Sequence, residues 1–145
     1  MNKIAQKEVK IREITSRYVS TYKELPLSEL SKLANTKIFF HFGLDIEKQY
    51  AEALLKYNPK LIVVDISSNI KKIKNNPYVW TDPLNLRAVA KNIYDTFIEY
   101  DKSKESYYKE NYEKFLDEID QTFLKIKEKL NSCEVQYIYV FDDFW

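Results

Sequence analysis

Residues 37–66, KIFFHFGLDIEKQYAEALLKYNPKLIVVDI, decide the fold. The stretch opens with a short apolar run, Lys37-Ile38-Phe39-Phe40-His41-Phe42, ended by Gly43, which reads as a strand. Asp45 then suits the start of a helix as its N-cap. Ile46, Tyr50, Leu54 and Tyr57 follow at spacings of four, four and three, so one helical face is apolar. Asn58-Pro59 stops that helix, because the residue before a proline is pushed out of the helical region. Lys60-Leu61-Ile62-Val63-Val64-Asp65-Ile66 is a β-branched run of the kind that parallel sheets bury on both faces. Two strands joined through a helix form a crossover, and such crossovers are right-handed.

Upstream, Glu8-Val9-Lys10-Ile11-Arg12-Glu13-Ile14 alternates in part, and the pattern predicts a further strand of the same sheet. Ser28 to Ala34 reads as a short helix with Leu27, Leu30 and Leu33 on one face and Pro26 just before it. Downstream, Ser67 to Asp82 is expected to be a loop. Asp82-Pro83 is a cap followed by a first-turn proline, and Leu86, Val89, Ala90, Ile93 and Phe97 give the helix its buried stripe. The polar break Asp101-Lys102-Ser103-Lys104 precedes a long helix over about Ser106 to Leu130. Its stripe is Tyr108, Tyr112, Phe115, Ile119, Phe123, Ile126 and Leu130. At 1.5 Å per residue it spans roughly 37 Å. That is too long for a crossover on one small sheet, so it is expected to reach beyond the lobe. Val135 to Phe141 reads as a strand apolar on both faces, followed by Asp142-Asp143-Phe144-Trp145. The expected class is α/β: a parallel sheet with flanking helices plus a long backbone helix.

The bulk composition excludes several functions. Lys plus Arg total 23 and Asp plus Glu 22, a net charge of +1, so no general field favours nucleic acid or an anionic membrane. The single glycine, Gly43, excludes glycine-rich phosphate loops. Cys133 is the only cysteine, so no intrachain disulfide forms, and no apolar run approaches the ~20 residues of a membrane span. Met1-Asn2-Lys3-Ile4-Ala5-Gln6-Lys7 lacks the apolar region of a signal peptide, so the chain read from Met1 is expected to be soluble and unexported. His41, the only histidine, lies in an apolar strand and reads as structural. With no nucleophile–base pair, phosphate loop or metal motif, the chain is not expected to be an enzyme.

Four pieces, in order, resemble the solute-binding proteins of zinc and manganese ABC importers. Leu27-Ser28-Glu29-Leu30-Ser31-Lys32-Leu33-Ala34 resembles that family's "PSDLAKLAKAD" helix. Phe42-Gly43-Leu44-Asp45-Ile46-Glu47 resembles its "NGLGLE" turn. Pro77-Tyr78-Val79-Trp80-Thr81-Asp82-Pro83 resembles "DPHVWLDP", the most specific of the four. Tyr107-Tyr108-Lys109-Glu110-Asn111-Tyr112-Glu113-Lys114-Phe115 resembles "YYEKNYEAF". The resemblance covers roughly residues 8 to 145 and implies two α/β lobes joined by a rigid helix, with a metal held between them. On that reading residues 1–100 are an α/β lobe, 101–132 the connecting helix, and 133–145 the first strand of an otherwise missing second lobe.

The family's metal ligands are typically three histidines and a carboxylate, a set that suits Zn²⁺ or Mn²⁺. The first histidine falls near Thr21 or Tyr22 here, the second at Tyr78, and the third at Asp142. None of them is a histidine in this chain. Thr21, Tyr78 and Asp142 are therefore the metal positions by resemblance, and their hard oxygens suit Mn²⁺ or Fe³⁺ in principle. The resemblance implies a membrane permease as partner and a periplasmic or extracytoplasmic location; a chain that natively began at Met1 would be cytoplasmic. The second reading is an interaction or structural domain of the same fold that binds no metal. The apolar strand at 135–141 and the aromatic tail further predict a homo-oligomer formed through the C-terminal helix and strand.

Overall fold

The computed structural model describes residues 1–14, 25–72, 78–134, 137 and 139. The chain divides into two compact units, one of Lys10–Ser68 and one of Met1–Val9 with Asn69–Trp145.

The first unit is built on the crossover expected from residues 37–66. Strand β1 (Ile38–His41) and strand β2 (Ile62–Asp65) pair in parallel, Ile38 opposite Ile62 and His41 opposite Asp65. Helix α3 (Asp45–Tyr57) connects them, and helix α2 (Leu27–Leu33) precedes β1. Leu30 and Leu33 of α2, Leu54 of α3 and Leu61 form the buried cluster. Phe39 and Val63, partners in the register, pack against that cluster together with Ile14 and Leu25. One face of the sheet thus carries the two helices, and burial of these side chains holds the layers together. The Asn58 side chain donates to the Thr36 carbonyl at 2.7 Å and ties the end of α3 to the chain entering β1.

The strand expected over residues 8–14 is not formed. Among the described residues the sheet has two strands, and residues 8–14 are irregular. The Glu8 amide donates to the Ala5 carbonyl at 3.0 Å, closing a turn, and Ile14 joins the α2–α3 core. Alternation over so short a stretch shows which side chains turn inward. It supplies no ladder partner, and a strand needs one.

In the second unit, helix α1 (Asn2–Ala5) had no sequence signal. Its Ile4 and Ala5 are fully buried. Asn111 is buried beside it, donating to the Ile4 carbonyl at 3.1 Å and accepting from the Gln6 side chain at 2.8 Å. Helix α4 (Pro83–Tyr100) and helix α5 (Glu105–Asn131) are joined by a 3₁₀ turn at Lys102–Lys104, where the polar break was expected. They pack antiparallel. Phe97 stacks on Tyr108 with ring centroids 5.3 Å apart, Tyr94 stacks on Tyr112 at 4.7 Å, and Arg87 pairs with Asp120. Val89, Ala90, Ile93 and Phe97 are buried as their spacing required, with Tyr108 and Ile119 facing them from α5.

The 27 residues of α5 give a length of about 40 Å. In its stripe Tyr108 and Ile119 are buried and Tyr112 and Phe115 half-buried; farther on, Ile126 is 43% exposed and Leu130 63%, with Leu124 beside them at 55%. Among the described residues no helix is long and apolar enough to cross a membrane. The strand expected at 135–141 lies outside the described residues except for Tyr137 and Tyr139, whose side chains are exposed.

Phe97 is 3% exposed and stacked, so Phe97→Ala removes its area and leaves a void at the α4–α5 seam. The expected cost is about 4 kcal/mol. Urea denaturation followed by circular dichroism measures it, and an unchanged midpoint would mean the seam does not govern stability.

Candidate functional site

Two parts of the chain bear on function, one in each unit. In the first unit the carboxyl ends of β1 and β2 form the rim, the end at which open α/β sheets take their ligands. The chain leaves β1 through three successive amides, each held by a side chain. The Glu47 Oε2 atom accepts from the Phe42 and the Leu44 amides, both at 2.9 Å. The Nδ1 atom of His41 accepts from the Gly43 amide, also at 2.9 Å. Gly43 has φ 81°, in the left-handed region that glycine enters without a Cβ penalty. The N-cap of α3 is Leu44, one residue before the Asp45 expected, and Glu47 at the third helical position does the capping. Across the rim, the Asp65 carboxylate accepts from the Ser67 amide at 2.8 Å and lies 2.6 Å from the Ser67 hydroxyl. That hydroxyl is also 2.8 Å from the Phe42 carbonyl, so it links the ends of the two strands.

His41, expected to be structural, is buried, and its ring is spent on the turn. The Glu47 clamp is not among the features expected from the sequence. An acid three residues past the turn is a capping signal in itself, but only the fold puts the Phe42 amide within its reach.

The second unit holds Tyr78, the one described residue of the three positions that the family resemblance assigned to metal. Tyr78 sits half-buried just before a 3₁₀ turn, Val79–Thr81, which leads into α4. Its carbonyl accepts from the Thr81 amide at 3.1 Å and from the Thr81 hydroxyl at 2.8 Å. Its ring meets Trp80 edge-on, with centroids 5.2 Å apart and planes at 87°. Val79 is buried beneath, and Asp82 accepts from the Leu84 amide at 2.8 Å to cap α4. The segment matching "HVWLDP" is thus a fixed turn that presents the residue at its start. A phenol at this point offers a hard oxygen where an imidazole would offer a borderline nitrogen. Thr21, its neighbour Tyr22 and Asp142 lie outside the described residues. Among the described residues no group of three or more His, Cys, Asp or Glu side chains could hold a metal ion.

This architecture is shared with known structures. "Crystal structure of 138-173 ZnuA deletion mutant plus zinc bound" superposes with TM-score 0.84 and 20% identity, covering 92% of this chain and 54% of that one. "Crystal structure of ZnuA" follows at TM-score 0.76 and 22% identity, over 83% of this chain and 49% of that one. The periplasmic zinc-binding protein TroA from Treponema pallidum matches at TM-score 0.72 and 19% identity, over 90% of this chain and 50% of that one. The chain spans about half the length of these structures. No curated protein matches it. The likeness to these structures is one of fold. The family whose pattern matches residues 1–145 is described as ZnuA, zinc-uptake complex component A, periplasmic, and the chain belongs to it.

The capping role of Asp82 can be measured. Asp82→Ala is expected to destabilise the chain by about 1 kcal/mol, and Asp82→Ser to restore most of that. Equal midpoints for wild type and Asp82→Ala in chemical denaturation would show that the proline alone starts α4.

Proposed function

We propose that the chain supplies one lobe and the backbone helix of a metal-ion solute-binding protein of an ABC importer, one that delivers its cargo to a membrane permease. The observation that carries this is the family match over residues 1–145, together with an α/β crossover and a 27-residue helix in the expected order. On this reading residues 101–132 are the connecting helix and 133–145 begin the second lobe, outside the cytoplasm as in the rest of the family. The exposed Leu124, Ile126 and Leu130 support it, since a rigid connector needs an apolar seat for a second body on its far end.

The metal positions in this reading are Thr21, Tyr78 and Asp142, all oxygen donors. Neutral imidazole is the usual source of tight zinc binding in such sites, and the chain's single histidine is engaged in the β1–α3 turn. Zinc is therefore a weak cargo here, and a harder ion such as Mn²⁺ or Fe³⁺ fits the donor set better. Calorimetry should give a zinc dissociation constant no tighter than micromolar, with native mass spectrometry comparing Zn²⁺, Mn²⁺ and Fe³⁺. A nanomolar one-to-one zinc site would overturn the assignment of these three positions.

For the 145-residue chain by itself, the uncovered end of α5 is expected to be buried against a second copy. Light scattering at micromolar concentration should then give about twice the 17.4 kDa chain mass. A clean monomer would remove the homo-oligomer.

A further inference from the structure

We infer that the β1–α3 corner is a proton-sensitive latch worked by His41. The inference rests on the hydrogen bonds of the corner alone and stands whether or not the chain binds a metal. The Phe42, Gly43 and Leu44 amides point at side-chain acceptors rather than into a backbone ladder. Two of the three are held by the carboxylate of Glu47. The middle one, that of Gly43, is held by the Nδ1 lone pair of His41. That bond fixes the tautomer, with the ring proton on Nε2. An imidazolium carries hydrogen on both nitrogens and accepts nothing, so proton uptake replaces the bond by two N–H groups facing each other.

The surroundings confine the response to this point. His41 is 9% exposed and its ring lies against Phe39, with ring centroids 6.0 Å apart, which limits how far it can turn away. Among the described residues, Asp65 is its register partner on β2, and Glu47 and Asp45 lie at the start of α3. Asp65 is engaged by the Ser67 amide and hydroxyl, Glu47 by the two amides, and Asp45 by Lys48 at 3.1 Å in solvent. Proton uptake therefore frees the Gly43 amide while Glu47 keeps its neighbours. Gly43 is the residue best able to change its backbone angles once released. The corner loosens at the carboxyl end of β1, the rim of the lobe, while the α2–α3 core is left intact. The bond is present while the imidazole is neutral and is lost once Nδ1 carries a proton, so acid breaks it.

The composition makes the test direct, because the chain has one histidine and one glycine. Labelling the full chain with ¹⁵N-glycine gives a single amide signal, and labelled histidine gives a single ring. Titration from about pH 8 to about pH 5 covers the range in which imidazoles change charge. The Gly43 amide signal should move with the same midpoint as the ring. Its protection from solvent exchange, relative to an unstructured glycine, should fall by about fivefold, the factor that one hydrogen bond supplies. His41→Asn keeps an acceptor that reaches the amide two residues on but does not titrate, so its Gly43 signal should stay flat. If that variant does not fold, the two midpoints in the wild-type chain decide alone. A Gly43 signal that ignores the ring's titration overturns the latch, as does a folded His41→Asn chain whose Gly43 signal still titrates.

Discussion

The antiparallel seam between α4 and α5 is the packing on which the second unit depends. Phe97 against Tyr108 and Tyr94 against Tyr112 place large flat rings in stacked contact, and each ring removes more apolar area from water than an aliphatic side chain would. The surface pair Arg87–Asp120 adds register and little energy. Once the seam is set, the rest of the unit follows. The buried Asn111 has no water to bond, so the Ile4 carbonyl and the Gln6 amide must come to it, and α1 docks on α5 as a result.

A different constraint governs the first unit. A strand that turns into a helix leaves successive amides without backbone partners, and burial forbids leaving them unpaired. The chain answers with Glu47 and His41, one at each side of Gly43. The negative charge of Glu47 at the helix start also complements the helix dipole. Ser67 and Asp65 do the corresponding work at the end of β2. Both strand ends at the rim are thereby fixed by side chains, which sets the position of whatever the lobe presents there.

Membership of a periplasmic zinc-uptake family and a histidine-poor sequence fit together once fold and site are separated. The apolar stripes, the Asp82–Pro83 start and the strand–helix–strand order define the scaffold. None of these depends on which atom sits at position 78. The turn Val79–Thr81 is closed by backbone and threonine contacts to the Tyr78 carbonyl, which any residue at that position supplies.

By itself the sequence determined most of the elements that arise from local periodicity. The two β-branched and aromatic runs, the cap at Asp82, the break at 101–104 and the long stripe of α5 were all readable, because burial selects residue type at fixed spacing. The fold class followed from the same local patterns, and the family from the resemblance of four short pieces to its motifs. The tertiary structure alone decided what needs a distant partner. Residues 8–14 carry a strand-like alternation, yet no ladder meets them; residues 2–5 carry no helix signal, yet Asn111, far along the chain, gives α1 its place. Glu47 and His41 became a clamp only when β1 and α3 met at Gly43. Hydrogen-bond partners and strand neighbours are choices made in space, and a one-dimensional pattern of apolar and polar residues does not encode them.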